Sequence, residues 1–210
     1  MKKIIVILTI SIVCITQSYG QKTPPSGVVA LPNAENTYIQ IHEVTVADWN
    51  IYLNDIIART SENSALYQEN LPNDAICKAA YKTDNYLTNP QTQNYPIVGI
   101  TIEQARWYCS WRSDWEYKNK KKNNPYMYTY SLPTESDFQN AYDVEKIKTS
   151  IKSLSAVNTK SKELTGIADN ANEMTANGKI VTGTASNGLR FDNYSEAGVM
   201  LGFRCKVFVK

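Results

Sequence analysis

Beyond about residue 145 the chain shows no sustained helical or strand periodicity, and this limits the fold more than any single motif does. The last third sets turn residues, Gly178, Gly183, Asn187-Gly188 and Asp192-Asn193, between short β-prone pieces such as Lys179 to Val181 and Phe203 to Val209. Such spacing specifies short strands joined by long loops. Lys146 to Lys162, rich in Ser, Lys and Thr, reads as a surface excursion. No internal repeat is present.

Helical signals cluster earlier. Tyr38 to Val44 reads as a strand, and Thr45 is placed to cap a helix over Val46 to Ala58, where Trp49, Tyr52, Leu53, Ile56 and Ile57 recur at helical spacing. Ser61 to Asn94 is polar and mostly loop, with a short helix expected over Asp74 to Tyr81. Thr101 followed by Gln104 forms a capping-box pattern opening a helix to about Tyr117. Its Trp107, Trp111 and Trp115 stand at steps of four, which predicts a shared face and a core stripe. Thr134 can cap a further helix whose first turn carries Glu135 and Asp137, with Phe138, Ala141 and Tyr142 facing inward.

The N-terminus points to export. Lys2 and Lys3 precede an apolar run from Ile4 to Ile15, of signal-peptide length and short for a membrane span. Small residues in Ser18-Tyr19-Gly20 place cleavage after Gly20, so residues 1–20 read as a signal peptide, 21–37 as a leader and 38–210 as the domain. A competing reading makes Cys14 a lipid-modified cysteine, but Ser11-Ile12-Val13 is a poor lipobox because a small residue is wanted just before the cysteine. The remaining chain of about 190 residues suits one domain and holds no further span. It is therefore expected to be periplasmic, cell-surface or secreted.

A net charge of +2 gives no basis for nucleic-acid binding. The one basic run, Lys118 to Lys122, lies beside Asn123-Asn124-Pro125 and reads as a solvated loop. The 14 tyrosines, against 4 phenylalanines, suit loop-rich architecture in which rings keep one wet edge. Export would leave Cys77, Cys109 and Cys205, an odd number that implies one bridge and one spare thiol without saying which two pair.

Five segments in order resemble the formylglycine-generating enzyme, or sulfatase-modifying factor, family. His42-Glu43-Val44-Thr45 with Trp49 and Tyr52 is similar to its opening Glu-Val-Thr element. Tyr95-Pro96-Ile97-Val98-Gly99-Ile100-Thr101 with Ala105, Tyr108-Cys109 and Trp111 resembles its Tyr-Cys-x-Trp helix. Tyr130-Ser131-Leu132-Pro133-Thr134-Glu135 resembles its Leu-Pro-Thr-Glu block, and Asp169-Asn170-Ala171-Asn172-Glu173-Met174 its Gly-Asn-Val-Trp-Glu-Trp block. Leu201-Gly202-Phe203-Arg204-Cys205 resembles the closing Gly-Phe-Arg strand.

The resemblance implies a complex α+β fold, C-type lectin-like, with short strands, two or three helices and long loops. It implies a Cys109–Cys205 disulfide, leaving Cys77 spare. It marks Glu135 and Arg204 as structural residues, and a buried arginine there would bond a carboxylate or carbonyls at several points. Enzymatic relatives hold copper on two cysteines between the Gly-Asn-Val-Trp-Glu-Trp block and the closing strand, but Met174 to Arg204 contains no cysteine. An iron site built from histidines is ruled out by a single histidine, His42, which reads as a strand residue. The family's calcium stretch leaves Asp169, Asn170, Ala171 and Glu173 as candidate ligands, although Gly166 stands where another oxygen donor is expected. Without calcium, Asp169 and Glu173 would simply hydrogen-bond the turn.

Two functions follow. The first is an exported, non-catalytic binding or scaffold domain of the cell envelope, like the family's gliding-motility-type lipoproteins, contacting protein or glycan through surfaces such as Tyr126-Met127-Tyr128. The second is a divergent oxidoreductase acting on a cysteine of a protein substrate.

Overall fold

The computed structural model describes residues 22–144, 153–184 and 187–210. The expected signal peptide, Cys14 and most of the first half of the Lys146–Lys162 excursion lie outside the described residues. Among the described residues, eight strands and five helices follow one another as β1 (Val28–Ala30), β2 (Thr37–Gln40), α1 (Val46–Arg59), α2 (Ala65–Asn70), α3 (Asp74–Tyr81), α4 (Ile102–Asn119), β3 (Tyr128–Ser131), α5 (Glu135–Val144), β4 (Asn172–Met174), β5 (Lys179–Thr184), β6 (Gly188–Asn193), β7 (Leu201–Gly202) and β8 (Lys206–Val209). The fold is thus mixed α+β with short strands, and it has more helices than expected. Of these, α2 lies in the stretch expected as loop and begins where the Ser64 side chain accepts from the Tyr67 N–H. It ends at Asn70, whose side-chain Oδ1 accepts from the buried Tyr52 hydroxyl at 2.8 Å. No helix among the described residues is long and apolar enough to cross a membrane.

Two four-stranded sheets organise the chain, ordered β1-β2-β8-β3 and β6-β5-β4-β7. The first is antiparallel throughout; in the second, β4 and β7 run parallel. Side chains alternate across a strand, so the first sheet serves two cores. Tyr38, Val207, Val209, Tyr128 and Tyr130 face the larger core with Trp49, Tyr52 and Ile56 of α1 and Tyr108 and Trp111 of α4. Ile39, on the opposite face, joins Phe138 and Ala141 of α5, Leu164, Ile167 and Val181.

The helix starts follow the caps. Thr45 and Asp48 close a capping box on α1, Thr101 and Gln104 close one on α4, and Thr134 exchanges bonds with Asp137 at the head of α5. The tryptophan stripe is different. Steps of four overrun a turn by about 40° each, so the three rings spread round α4. Trp111 is buried and packs on Trp115, whereas Trp107 is 46% exposed.

The expected strand from Phe203 to Val209 is also interrupted. Phe203, Arg204 and Cys205 leave both sheets between β7 and β8, all three fully buried. Their backbone is held by Val44 N–H donating to the Phe203 carbonyl at 2.8 Å and by Cys205 N–H donating to Gln40 Oε1 at 2.6 Å. This interruption turns the Arg204 side chain inward, beneath the end of β2.

Candidate functional site

Arg204 sits at 0% exposure with two buried carboxylates, Glu173 of β4 and Glu43 just before α1. Glu173 grips it in a fork, Nε donating to Oε2 at 2.6 Å and Nη2 to Oε1 at 3.0 Å. Nη1 donates to the Gln40 and Ile41 carbonyls, and Nη2 also reaches those of Thr165 and Gly166. A guanidinium has five N–H donors, and all are engaged by these six contacts. Nothing is left for Glu43 Oε2, which stands 3.8 Å from Nη2 and has no hydrogen-bond partner among the described residues. Glu43 Oε1 accepts from the Ala171 N–H at 3.2 Å.

One cation thus faces two carboxylates. Burial pushes the Glu43 carboxyl up to about 8, with Arg204 pulling it down and Glu173 pushing it further up. Burial raises Glu173 as well, against the pull of Arg204. Burial beside a single shared cation thus favours the neutral acid at Glu43, and with that proton in place the Glu43–Glu173–Arg204 cluster holds one ion pair and no net charge. Gly166 is part of this arrangement: at φ +73° it is left-handed, and a Cβ there would stand 2.9 Å from Glu43 Oε2. Arg204 thereby ties the 165–171 loop to β2 and to the last strand pair.

The calcium candidates are drawn into the same structure. Both Glu173 oxygens serve Arg204, the Ala171 N–H points at Glu43, and Asn170 Oδ1 accepts from the Ser155 N–H and hydroxyl at 2.9 and 3.2 Å. Asp169 adds negative charge that acts on Arg204. The side-chain oxygens of Glu173 and Asn170 are thus engaged by the protein's own donors. Among the described residues no group of three or more His, Cys, Asp or Glu could hold a metal. His42 Nδ1 contacts the Glu43 carbonyl at 2.8 Å.

The expected Cys109–Cys205 disulfide is corrected by the structure. Cys77, Cys109 and Cys205 are all free and buried. Cys109 and Cys205 lie in hydrogen-bond contact, and burial holds the Cys109 thiol well above its ordinary value. In the aromatic core with Trp49, Tyr108 and Phe203 they behave as small apolar side chains, so packing holds α4 to the last strands. Cys77 is separate, its Sγ donating to the Val98 carbonyl at 3.3 Å, with the thiol pushed up to about 12 by burial. Burial thus disfavours the thiolate form of Cys77 and Cys109, the form in which sulfur binds copper.

Glu135 lies at the head of α5, accepting from Asn177 Nδ2 at 3.3 Å on the surface. The residue that fastens this helix is Asp137, which sequence reading placed only as a favourable charge. Its Oδ2 accepts from Lys206 Nζ at 2.6 Å as well as from Thr134. Burial pushes the Asp137 carboxyl up, but Lys206 and the Thr134 donors outweigh it and hold it below its ordinary value. The Lys206 signal was one long polar side chain in a strand otherwise apolar.

On the surface, α4 and β3 border an open hollow of about 410 Å³, with Cys109 at its floor and Ser110, Asp114 and Thr129 along its sides. Exposed Trp107 is three residues before Ser110 and therefore neighbours it on α4.

A family model, the sulfatase-modifying factor enzyme 1-like domain, matches residues 16–176. The chain belongs to this family. The matched stretch stops before β5 to β8, although β8 lies at the centre of the first sheet and Arg204 joins the two halves. No curated protein matches the chain. The match is to the sulfatase-modifying factor domain alone; the expected lectin-like fold and gliding-motility lipoprotein resemblance find no support in it.

Proposed function

We propose that this protein is an exported, non-catalytic binding or scaffold domain that uses the sulfatase-modifying factor fold for contacts with a partner at the cell envelope. The observation that carries this reading is the use made of its reactive groups. Glu43, Glu173 and Arg204 are sealed together, and the three cysteines are buried free thiols. The α4–β3 hollow and exposed Trp107, by contrast, are open to a partner. An accessible aromatic beside a concave surface is a common anchor for protein contacts. The apolar run Ile4–Ile15 supports export.

The alternative, a divergent oxidoreductase acting on a protein cysteine, would have to work through Cys109 at the floor of the hollow and its neighbour Cys205. The test is capture from the native envelope by the crosslinked protein, run beside metal analysis and oxygen uptake with a cysteine-containing peptide. A specific partner without turnover is expected. Stoichiometric copper with peptide-dependent oxygen uptake would overturn the reading.

A further inference from the structure

The segment from Lys82 to Tyr95 joins α3 to the approach of α4 without regular structure, yet it is held firmly. Asn50 Nδ2 donates to the Leu87 carbonyl and to Gln93 Oε1, and Gln93 Nε2 donates to the carbonyls of Leu87 and Asn89. The Thr92 hydroxyl donates to the carbonyls of Tyr86 and Asn89. Tyr81 Oη donates to the Pro96 carbonyl at 2.6 Å and accepts from the Val98 N–H at 3.1 Å, which fixes its ring. A loop this long in a compact domain is either functional or poorly ordered, and so many internal bonds exclude the second.

Between this loop, the end of α3 and Ser153-Leu154 lies a pocket of about 500 Å³. That volume suits a small ligand. Its lining is chemically distinctive. Among the described residues that line it, Lys82 is the one charged group and none is a carboxylate. Lys82 Nζ forms no ion pair, and the Gln91 amide no hydrogen bond, among the described residues. Asn89 Oδ1 accepts from the Gln91 N–H, which leaves its Nδ2 to donate. Tyr81 and Tyr95, their rings 6.3 Å apart and nearly perpendicular, form one wall.

Primary amides set a donor beside an acceptor, which matches neighbouring hydroxyls on a sugar ring. A tyrosine ring offers a flat apolar face for sugar C–H groups while its hydroxyl stays wet. An ammonium without a counter-ion selects an acidic substituent. The polar lining residues Lys82, Thr83, Asn89, Gln91, Thr92 and Ser153 outnumber the apolar ones, which favours a hydroxyl-rich ligand over a peptide anchored by an apolar side chain.

Resting on the reading of the chain as a binding module, we propose that this pocket holds a short saccharide bearing a carboxylate. Lys82 meets the acid group, Gln91 and Asn89 the ring hydroxyls, and Tyr95 a sugar face.

The test is an amide NMR titration of the full chain with a glucuronate-containing disaccharide and with the same disaccharide reduced to its neutral form. Saturable shifts confined to residues 80–95 and 153–154 are expected. Lys82→Gln keeps an unbranched side chain at a left-handed position, φ 55°. It should weaken the acidic sugar about tenfold, the loss of one charge-assisted bond, and leave the neutral sugar unchanged. Gln91→Ala, at an exposed site, should weaken both. Absence of saturable shifts in this segment, shifts around Ser110 and Asp114 instead, or tighter binding of a short peptide here would overturn the proposal. If the wild type and Lys82→Gln capture the same envelope protein while neither binds sugar, the binding-module reading stands and the saccharide site falls.

Discussion

In the helical half of the molecule, Trp49 stacks on Tyr108 with ring centres 5.5 Å apart, and Phe203 meets both rings edge-on. In the loop-rich half, Arg204 joins β2, β4 and the 165–171 loop through a guanidinium whose donors are all engaged. The two halves are fastened by different physics. Apolar packing is non-directional, and its losses scale with the volume removed. A buried ionic cluster is directional and fails as a unit, because each group left behind is stranded away from water. The halves should therefore answer differently to substitutions of similar size.

The largest difference is expected at Arg204. Arg204→Met removes the cation, leaves Glu173 without its counter-charge and frees four carbonyls. It should cost about 3–5 kcal/mol, the range for breaking one side of a buried pair. Arg204→Lys should recover little, since an ammonium cannot reproduce the fork. Denaturant unfolding measures both, and a loss under about 1 kcal/mol for Arg204→Met would show that the cluster is not what fastens this half.

Acidity probes the same cluster next. The Glu43 carboxyl is raised from 4.5 to about 8 in the fold, chiefly by burial. Between those values the folded chain keeps a proton that the unfolded chain has released. Stability from this group is thus fully present below about 4.5, declines as pH rises through the window and levels off near 8. The slope is at most about 1.4 kcal/mol per pH unit. Glu43→Gln, which mimics the neutral acid, should flatten it. Thermal unfolding of both proteins from pH 5 to pH 9 makes the comparison, and parallel profiles would mean that Glu43 is ionised in the fold.

Gly166→Ala should cost about 2 kcal/mol, combining left-handed strain with a Cβ pressed on the Glu43 carboxyl. In the double mutant with Glu43→Ala the contact part of that cost should vanish and the strain remain. Additive losses in a double-mutant cycle would show that the two residues do not meet.

What the sequence disclosed follows the same division. The caps at Thr45, Thr101 and Thr134 were readable because donor and acceptor lie three residues apart. The helical core residues were readable because their spacing repeats. Glu43 carried no local sign of its role: its partner Ala171 lies 128 positions away, and it resembles any strand-end glutamate. Spacing also misled at Trp107, where steps of four carry a ring out of the buried sector. The cysteines were misleading for another reason. Proximity of Cys109 and Cys205 follows from packing, whereas bonding is a separate chemical event that parity of count cannot establish.

The smallest effect should differ in sign between two neighbouring rings of the helical half. Tyr108 is fully buried among rings, and its hydroxyl has no hydrogen-bond partner among the described residues. Tyr108→Phe deletes that hydroxyl while keeping the ring that stacks on Trp49, so it should be neutral or stabilising by up to about 1 kcal/mol. Tyr52→Phe, one ring away, is the control. Its hydroxyl donates to buried Asn70 at 2.8 Å, and losing it should cost about 1–2 kcal/mol because the amide oxygen is left unpaired. If chemical denaturation shows the two substitutions costing alike, the Tyr108 hydroxyl has a bonding partner, and the helical half also depends on polar contacts within its core.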